Sequence, residues 1–243
     1  MKDGQFQSEV ELCRKFIESI PDKWVAYPET AGFDILLVHA DGWQIGIEAK
    51  MKLNANVITQ IAPSRVQERM NSGPDYRAIL IPAGKKVKHM ERIAELLGFT
   101  VISMNAEDGY GRPFSPLLPD LDVGAIYREW FDWCPAQRCS VPEYVPDVPA
   151  GAAAPIALTQ WKIGAIRLSV LMEKRGFITP SDFRHFKISQ SRWTQERWIV
   201  QGDSRGMWIA GRGMPDFRSQ HPQNYQQIEE DFENLNPDSG GEK

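Results

Sequence analysis

The chain has 243 residues, 42% hydrophobic and 25% charged, with 19 glycines, 17 prolines and a formal net charge of −4; that length suits one large domain or two smaller ones. No apolar run approaches the roughly 20 residues of a membrane-spanning helix, and the opening Met1-Lys2-Asp3-Gly4-Gln5 lacks the apolar stretch of a secretory signal, so no membrane partner is expected. Three cysteines, an odd number, give no disulfide framework and fit a reducing, cytoplasmic setting.

Residues 6–20 place Phe6, Val10, Cys13, Phe16, Ile17 and Ile20 on one stripe and predict a helix. A short strand, Lys23 to Tyr27, is expected between Pro21 and Pro28. Phe33 to Ala40 and Trp43 to Lys50 read as two strands around Asp41-Gly42, a hairpin signal. A helix over about 55–70 follows, with Asn54 or Asn56 as cap and a kink at Pro63. Tyr76 to Ile81 is a buried type of strand, Lys86 to Leu97 a helix stopped by Gly98, and Phe99 to Met104 a further strand. The order αβββαβαβ predicts an α/β domain over 1–111.

Residues 112–156 are broken by Pro113, Pro116, Pro119, Pro135, Pro142, Pro146, Pro149 and Pro155 and read as a Pro-rich connector, extended over 146–155. Within it, the aromatic Tyr127–Trp133 stretch is expected to pack back on the first domain. Residues 157–222 hold 11 Lys and Arg against 5 Asp and Glu, a net of +6, between acidic flanks, which points to a polyanion. A helix from Thr159 to Arg175, a short one opened by Thr179-Pro180-Ser181-Asp182 and one over Gln190–Trp198 are predicted. A hairpin around Gly202–Gly206 follows, so the module resembles a winged helix-turn-helix. Its third helix carries Gln190, Arg192 and Gln195, residue types that read base edges. Arg184 and Lys187 are placed to meet phosphates, with Arg205 at the hairpin tip. The tail 223–243 holds 1 Lys against 6 acids and shows no core pattern after Tyr225; disorder is expected there.

Chemistry concentrates in the first hairpin. Glu48-Ala49-Lys50 is the one Glu-x-Lys of the chain, and Asp34 lies fourteen residues upstream. A two-residue loop would pair position 34 with 49 and send Asp34 to the opposite face. A three-residue loop, Ala40-Asp41-Gly42 with Gly42 in the left-handed region, pairs 34 with 48 and gathers Ile35, Leu37, Trp43, Ile45, Ile47 and Ala49 on one face. The second register is favoured. It makes Asp34 and Glu48 cross-strand neighbours, which repel unless a cation lies between them. Oxygen ligands select Mg²⁺, with Mn²⁺ as substitute, and the Ala49 carbonyl is a further possible ligand. Lys50 beside such an ion can orient or help deprotonate a water, or stabilise a pentavalent phosphate, so phosphodiester hydrolysis is the expected reaction. Lys52 shares the Glu48 face and is placed to touch DNA phosphate.

Phe33-Asp34, thirteen intervening residues and Glu48-Ala49-Lys50 on the next strand resemble the PD-(D/E)XK nuclease superfamily, whose αβββαβ restriction-endonuclease-like core the order of residues 6–82 also resembles. The resemblance implies a mixed sheet, Asp34 and Glu48 as metal ligands and Lys50 as the catalytic lysine. It also implies Glu9 as a first-helix carboxylate near the metal and Gln60 as the Gln some branches carry after the Lys strand. The usual Pro before the Asp is Phe33 here, and Ser64 stands where exonuclease-like branches have Tyr. A Mg²⁺-dependent DNA endonuclease acting on duplex DNA is the leading expectation, as a homodimer or beside a partner protein. A non-catalytic DNA-binding adaptor, or a nuclease subunit of a recombination, transposition or defence complex, is the alternative. Cys134-x4-Cys139 lacks companion ligands for zinc, and no P-loop, dinucleotide fingerprint or Ser-nucleophile motif is present.

Overall fold

The computed structural model describes residues 5–85, 87–107, 111–120, 129–153 and 157–232. The chain divides into two compact units, Met1–Pro155 and Ile156–Lys243. No helix among the described residues is long and apolar enough to cross a membrane.

The first unit is α/β. Its order is α1 (Glu9–Glu18), β1 (Trp24–Thr30), β2 (Phe33–His39), β3 (Gln44–Ala49), α2 (Ala55–Ile61), α3 (Arg65–Met70), β4 (Tyr76–Pro82), α4 (Lys88–Leu96), β5 (Thr100–Met104) and β6 (Phe114–Ser115). The six strands form one mixed sheet in chain order. β1, β2 and β3 are antiparallel, β3, β4 and β5 parallel, and β6 antiparallel to β5. Apolar side chains line both sheet faces. Ile35, Leu37, Ile45, Ile47 and Leu80 pack with Leu12, Cys13 and Phe16 of α1, while Leu36, Ile79, Ile81 and Val101 pack with Val57, Ile58 and Ile61 of α2 and Ala94 of α4. Burial on both faces is why β4 reads as an apolar run from Ala78 to Pro82.

The hairpin register follows the three-residue loop. Ile35 pairs with Ile47 and Leu37 with Ile45. His39 N–H donates to Trp43 O at 2.8 Å, Gly42 N–H donates to His39 O at 2.8 Å, and Gly42 has φ +86°. Gly46 is fixed for another reason: a Cβ there would stand 2.5 Å from the Phe33 ring. That ring is itself held against the Arg77 guanidinium, which Trp133 covers from another side and whose Nη1 donates to Ile61 O at 2.6 Å. Gly46→Ala is therefore expected to destabilise the protein by about 1–3 kcal/mol, the usual penalty of overpacking, read as a lower urea midpoint.

Several sequence expectations need correction. β1 runs through Pro28 to Thr30 instead of stopping there; it is an edge strand in the sheet order, where a missing N–H leaves no ladder bond unmade. The helix expected over 55–70 is two helices, because Ala62 turns extended before Pro63 and Ser64 opens α3 with a capping box to Gln67. The helix placed over 86–97 begins at Lys88, and Lys86 lies outside the described residues.

The segment expected as a connector falls within the first unit as far as Pro155. β6 completes the sheet, Trp130 Nε1 donates to Leu117 O, and Trp133 stacks on Phe99; Tyr127 lies outside the described residues. Arg138 grips buried Asp75 with two nitrogens, and the Gln44 side chain exchanges two hydrogen bonds with the Cys139 backbone. Even the stretch expected to be extended linker is docked, with Val148 and Ala150 buried. Prolines limited its helices without limiting its packing.

The second unit holds α5 (Gln160–Arg175), α6 (Pro180–His185), α7 (Gln190–Gln195), β7 (Ile199–Gln201), β8 (Trp208–Ala210), α8 (Phe217–Gln220) and α9 (Pro222–Glu230). Thr159 caps α5 and Gly176, at φ +85°, ends it. β7 and β8 form the expected hairpin, and Ile178, ahead of α6, exchanges two backbone hydrogen bonds with Trp208. Buried Asp182 accepts from the Thr179 N–H at 2.6 Å and pairs with Arg175. α7 is shorter than predicted: it ends at Gln195, and Arg197 at φ +56° turns the chain into β7. The acidic tail does not begin at 223. Residues 222–230 form α9, with Asn224, Tyr225 and Ile228 buried and the helix packed on α5. The rest of the expected tail, 233–243, lies outside the described residues.

Candidate active site

Four carboxylates and one ammonium gather where β1, β2 and β3 pass beside α1. Continuing the β2–β3 register one step beyond Ile35↔Ile47 sets Asp34 opposite Glu48. On the other side of β2, Glu29 stands between the pairs Pro28↔Ile35 and Thr30↔Phe33, opposite Asp34. The sheet thus lines up Glu29, Asp34 and Glu48 across three strands. Glu9, the first residue of α1, contributes the fourth; Ser8 caps that helix by accepting from Glu11 N–H.

The polar contacts are specific. Asp34 Oδ2 accepts from the Ala49 N–H at 2.7 Å, and Lys50 Nζ donates to Glu9 Oε2 at 3.0 Å. Glu29 Oε1 accepts from the Gly151 N–H at 2.8 Å, so the strap over 146–152 closes against this end of the sheet. A Cβ on Gly151 would press on Cys13 and Glu9, and its φ of +74° already favours glycine.

Burial and crowding of like charge shape the electrostatics. Glu48 is 6% exposed. Burial first, then the Asp34 charge, push its carboxyl up to about 7, against the pull of Lys50. Asp34 is also raised, by burial; the Ala49 N–H and the Lys50 ammonium oppose this, Glu9 adds to it, and a hydrogen bond with the Glu48 carboxyl works against it. Glu29 is raised by burial, partly offset by the Gly151 N–H. Burial alone would depress Lys50, but the Glu9 hydrogen bond and the Asp34 charge outweigh it and hold the ammonium above its ordinary range. Burial, then Asp34, push the Cys13 thiol up, so it stays protonated beneath the cluster.

Asp34, Glu48, Lys50 and Glu9 are therefore brought together. Gln60 is not joined to them: its side chain is exposed on α2, whose buried positions are Val57, Ile58 and Ile61. Lys52 is exposed just past the site. Glu29 is the residue that sequence reasoning missed. Extending the first strand through Pro28 would have set it opposite Asp34. Among the described residues no group of three or more His, Cys, Asp or Glu side chains is arranged to hold a metal ion as it stands. The donor chemistry nonetheless suits a hard divalent cation: Asp34 and Glu48 offer oxygens only, and the Asp34 charge, after burial, raises the Glu48 carboxyl.

In the second unit Arg184, Lys187, Gln195 and Arg205 are exposed and Gln190 is half-buried. Arg192 differs from expectation. The residue is exposed, but its guanidinium lies over the rings of Trp161 of α5 and of Trp198 ahead of β7, at 5.1 and 5.6 Å. Comparison of the chain with protein-family models, with curated proteins and with solved structures finds no match.

Proposed function

We propose that the protein is a divalent-metal-dependent DNA endonuclease whose active site is Asp34, Glu48, Lys50 and Glu9. The register that sets Asp34 opposite Glu48, one residue from Ala49 and two from Lys50, carries this reading. The order α1–β1–β2–β3–α2–α3–β4 with a mixed sheet supports a restriction-endonuclease-like core. Asp34 and Glu48, with the Ala49 carbonyl, would hold Mg²⁺ or Mn²⁺. When bound, such an ion lowers the pKa of a coordinated water and offsets charge on phosphate oxygens. Lys50, kept charged by Glu9, presents an ammonium to the phosphate and stabilises the negative charge that builds as the bond breaks.

The test is direct. Purified protein with Mn²⁺ is expected to cut plasmid DNA, and Lys50→Ala to lose about a hundredfold or more of that rate with an unchanged circular dichroism spectrum. Full cutting by Lys50→Ala would remove the site assignment. A second reading, the non-catalytic DNA-binding adaptor, is favoured by the internal closure of the site, since Glu9 already holds Lys50 and the Ala49 N–H already holds Asp34. Mn²⁺ binding that is lost in Asp34→Asn separates the two: the adaptor needs no such ion.

In this proposal the second unit positions duplex DNA as a winged helix. The bridge between Ile178 and Trp208 supports it, because it ties the segment between α5 and α6 to the hairpin. Exposed Arg184, Lys187 and Arg205 would contact phosphates. Lys187→Ala and Arg205→Ala are each expected to reduce the slope of log affinity against log salt by about one, measured by fluorescence anisotropy on a labelled duplex.

A further inference from the structure

A hollow of about 840 Å³ opens at the carboxyl ends of β3, β4 and β5. Open α/β sheets bind ligands in that position, outside the carboxyl ends of their parallel strands. Half-buried Met51 supplies its apolar wall, backed by the buried core residues Phe6 and Met104, and its cations are Lys52, Lys85 and Arg112, all three exposed. Glu107 is the one acid among the described residues that line it.

Some cations of this chain are taken up by carboxylates and others are not; these three belong to the second kind and share one concavity. Arg14, Arg92, Arg138, Lys174 and Arg218 are all bonded to carboxylates. Among the described residues, no carboxylate pairs with Lys52, Lys85 or Arg112. Cations that converge on a concavity without counter-ions favour an anionic occupant. The apolar wall adds a demand that a bare anion does not meet.

The hollow also begins where the candidate active site ends. Two residues of chain carry Lys50 to Lys52, a reach of at most about 7 Å between Cα atoms. An occupant that is anionic, partly flat and apolar, and continuous with a phosphate at Lys50 is a DNA strand. A paired base lies inside the duplex and cannot enter a concavity, so the duplex backbone would meet only the rim. An unpaired nucleotide can enter, set its base against the wall and leave its phosphate among the cations. The volume lies within the range of small-molecule sites, about 300–1,000 Å³, enough for an unpaired nucleotide.

We propose that this hollow takes unpaired nucleotides of the strand being cut, so that the preferred substrate carries a splayed or single-stranded segment beside the scissile phosphate. The proposal rests on the nuclease reading above and sharpens it from duplex DNA in general to a junction between paired and unpaired DNA. Lys52, Lys85 and Arg112 hold the phosphates. Met51, between Lys50 and Lys52, is the apolar contact nearest the reacting centre.

The test uses the full chain and two DNAs of one sequence, a continuous duplex and a duplex with an unpaired arm, cut with Mn²⁺. Wild type is expected to prefer the armed DNA by about tenfold or more, the usual worth of one stacked base, and the Lys85→Ala/Arg112→Ala variant to bring that ratio close to one. A parallel assay without metal measures binding of a labelled oligo-dT, expected to weaken by about tenfold in the same variant; both residues are exposed, and an unchanged melting temperature verifies folding. If wild type cuts neither DNA but the variant still loses oligo-dT, the nuclease reading fails and the nucleotide site stands. Equal cutting of both DNAs by wild type, or oligo-dT binding indifferent to the variant, overturns the proposal. Displacement of oligo-dT by equimolar free dTMP overturns it as well, since the site would then serve a free nucleotide.

Discussion

Glu48→Gln is expected to abolish Mn²⁺-dependent cleavage, by about 10² to 10³-fold or more, and at the same time to make the metal-free protein more stable at pH 8. The two effects share one cause. The Glu48 carboxyl is buried beside Asp34 and ionises at about 7 in the folded chain, against 4.5 ordinarily. Because the folded-state value is the higher one, the unfolded chain releases this proton first. Stability from the protonated group is fully present below pH 4.5 and is lost as pH rises through 7. Glutamine has nearly the same shape and no proton to lose, so the variant escapes the penalty; a gain of about 1–3 kcal/mol at pH 8 is expected, vanishing at pH 4. Mn²⁺ should reverse the order, raising the melting temperature of wild type at pH 8 and leaving Glu48→Gln unmoved. Urea melts at both pH values, with and without Mn²⁺, read these outcomes. A variant less stable than wild type at pH 8 without metal would show that the carboxylate is already compensated.

The core of this site was legible because hairpins obey local rules. Gly42 needed a left-handed backbone, the apolar pattern on both strands chose the register, and register alone set Asp34 opposite Glu48. Glu29 was hidden by Pro28: proline signals a strand's end, yet at a sheet edge its missing N–H costs nothing, and edge position is a property of the whole sheet. The docked strap was hidden for a related reason. Prolines in 112–156 rule out long helices but say nothing of where Trp130, Trp133 and Arg138 find partners, which here are Leu117, Gly98 and Asp75. The helix α9 was missed because only Tyr225 and Ile228 stand out among polar neighbours. Its signal lay elsewhere, in α5. A helix that buries Ile163, Ala165, Ile166, Leu168, Val170 and Leu171 is apolar nearly all round, and such a helix needs covering on every side.

Trp193→Ala is expected to cost about 3–5 kcal/mol, the usual loss for a large aromatic removed from a core, and to unfold the second unit well before the first. Trp193 is fully buried. Its ring meets Phe183 of α6 at 5.4 Å, Trp198 ahead of β7 at 5.6 Å and Phe217 of α8 at 6.5 Å. One side chain on a six-residue helix thus joins α6, the hairpin and α8, and α7 alone is too short to stay helical without that packing. Trp193→Phe separates packing from hydrogen bonding. Among the described residues the Trp193 Nε1–H has no partner, so phenylalanine removes a buried orphan donor along with some volume, and the expected cost falls to about 1 kcal/mol. The functional consequence follows from Trp198, which lies against both Trp193 and the Arg192 guanidinium. On the proposed function, loss of Trp193 should free the Trp198 ring and with it the Arg192 guanidinium and weaken duplex binding, while Mn²⁺ still stabilises the first unit. Urea titrations followed by tryptophan fluorescence, with Mn²⁺ added to shift only the transition of the first unit, separate the two units. A single transition that moves as a whole in Trp193→Ala would mean that the two units unfold together and that the second is not held by its own aromatic core.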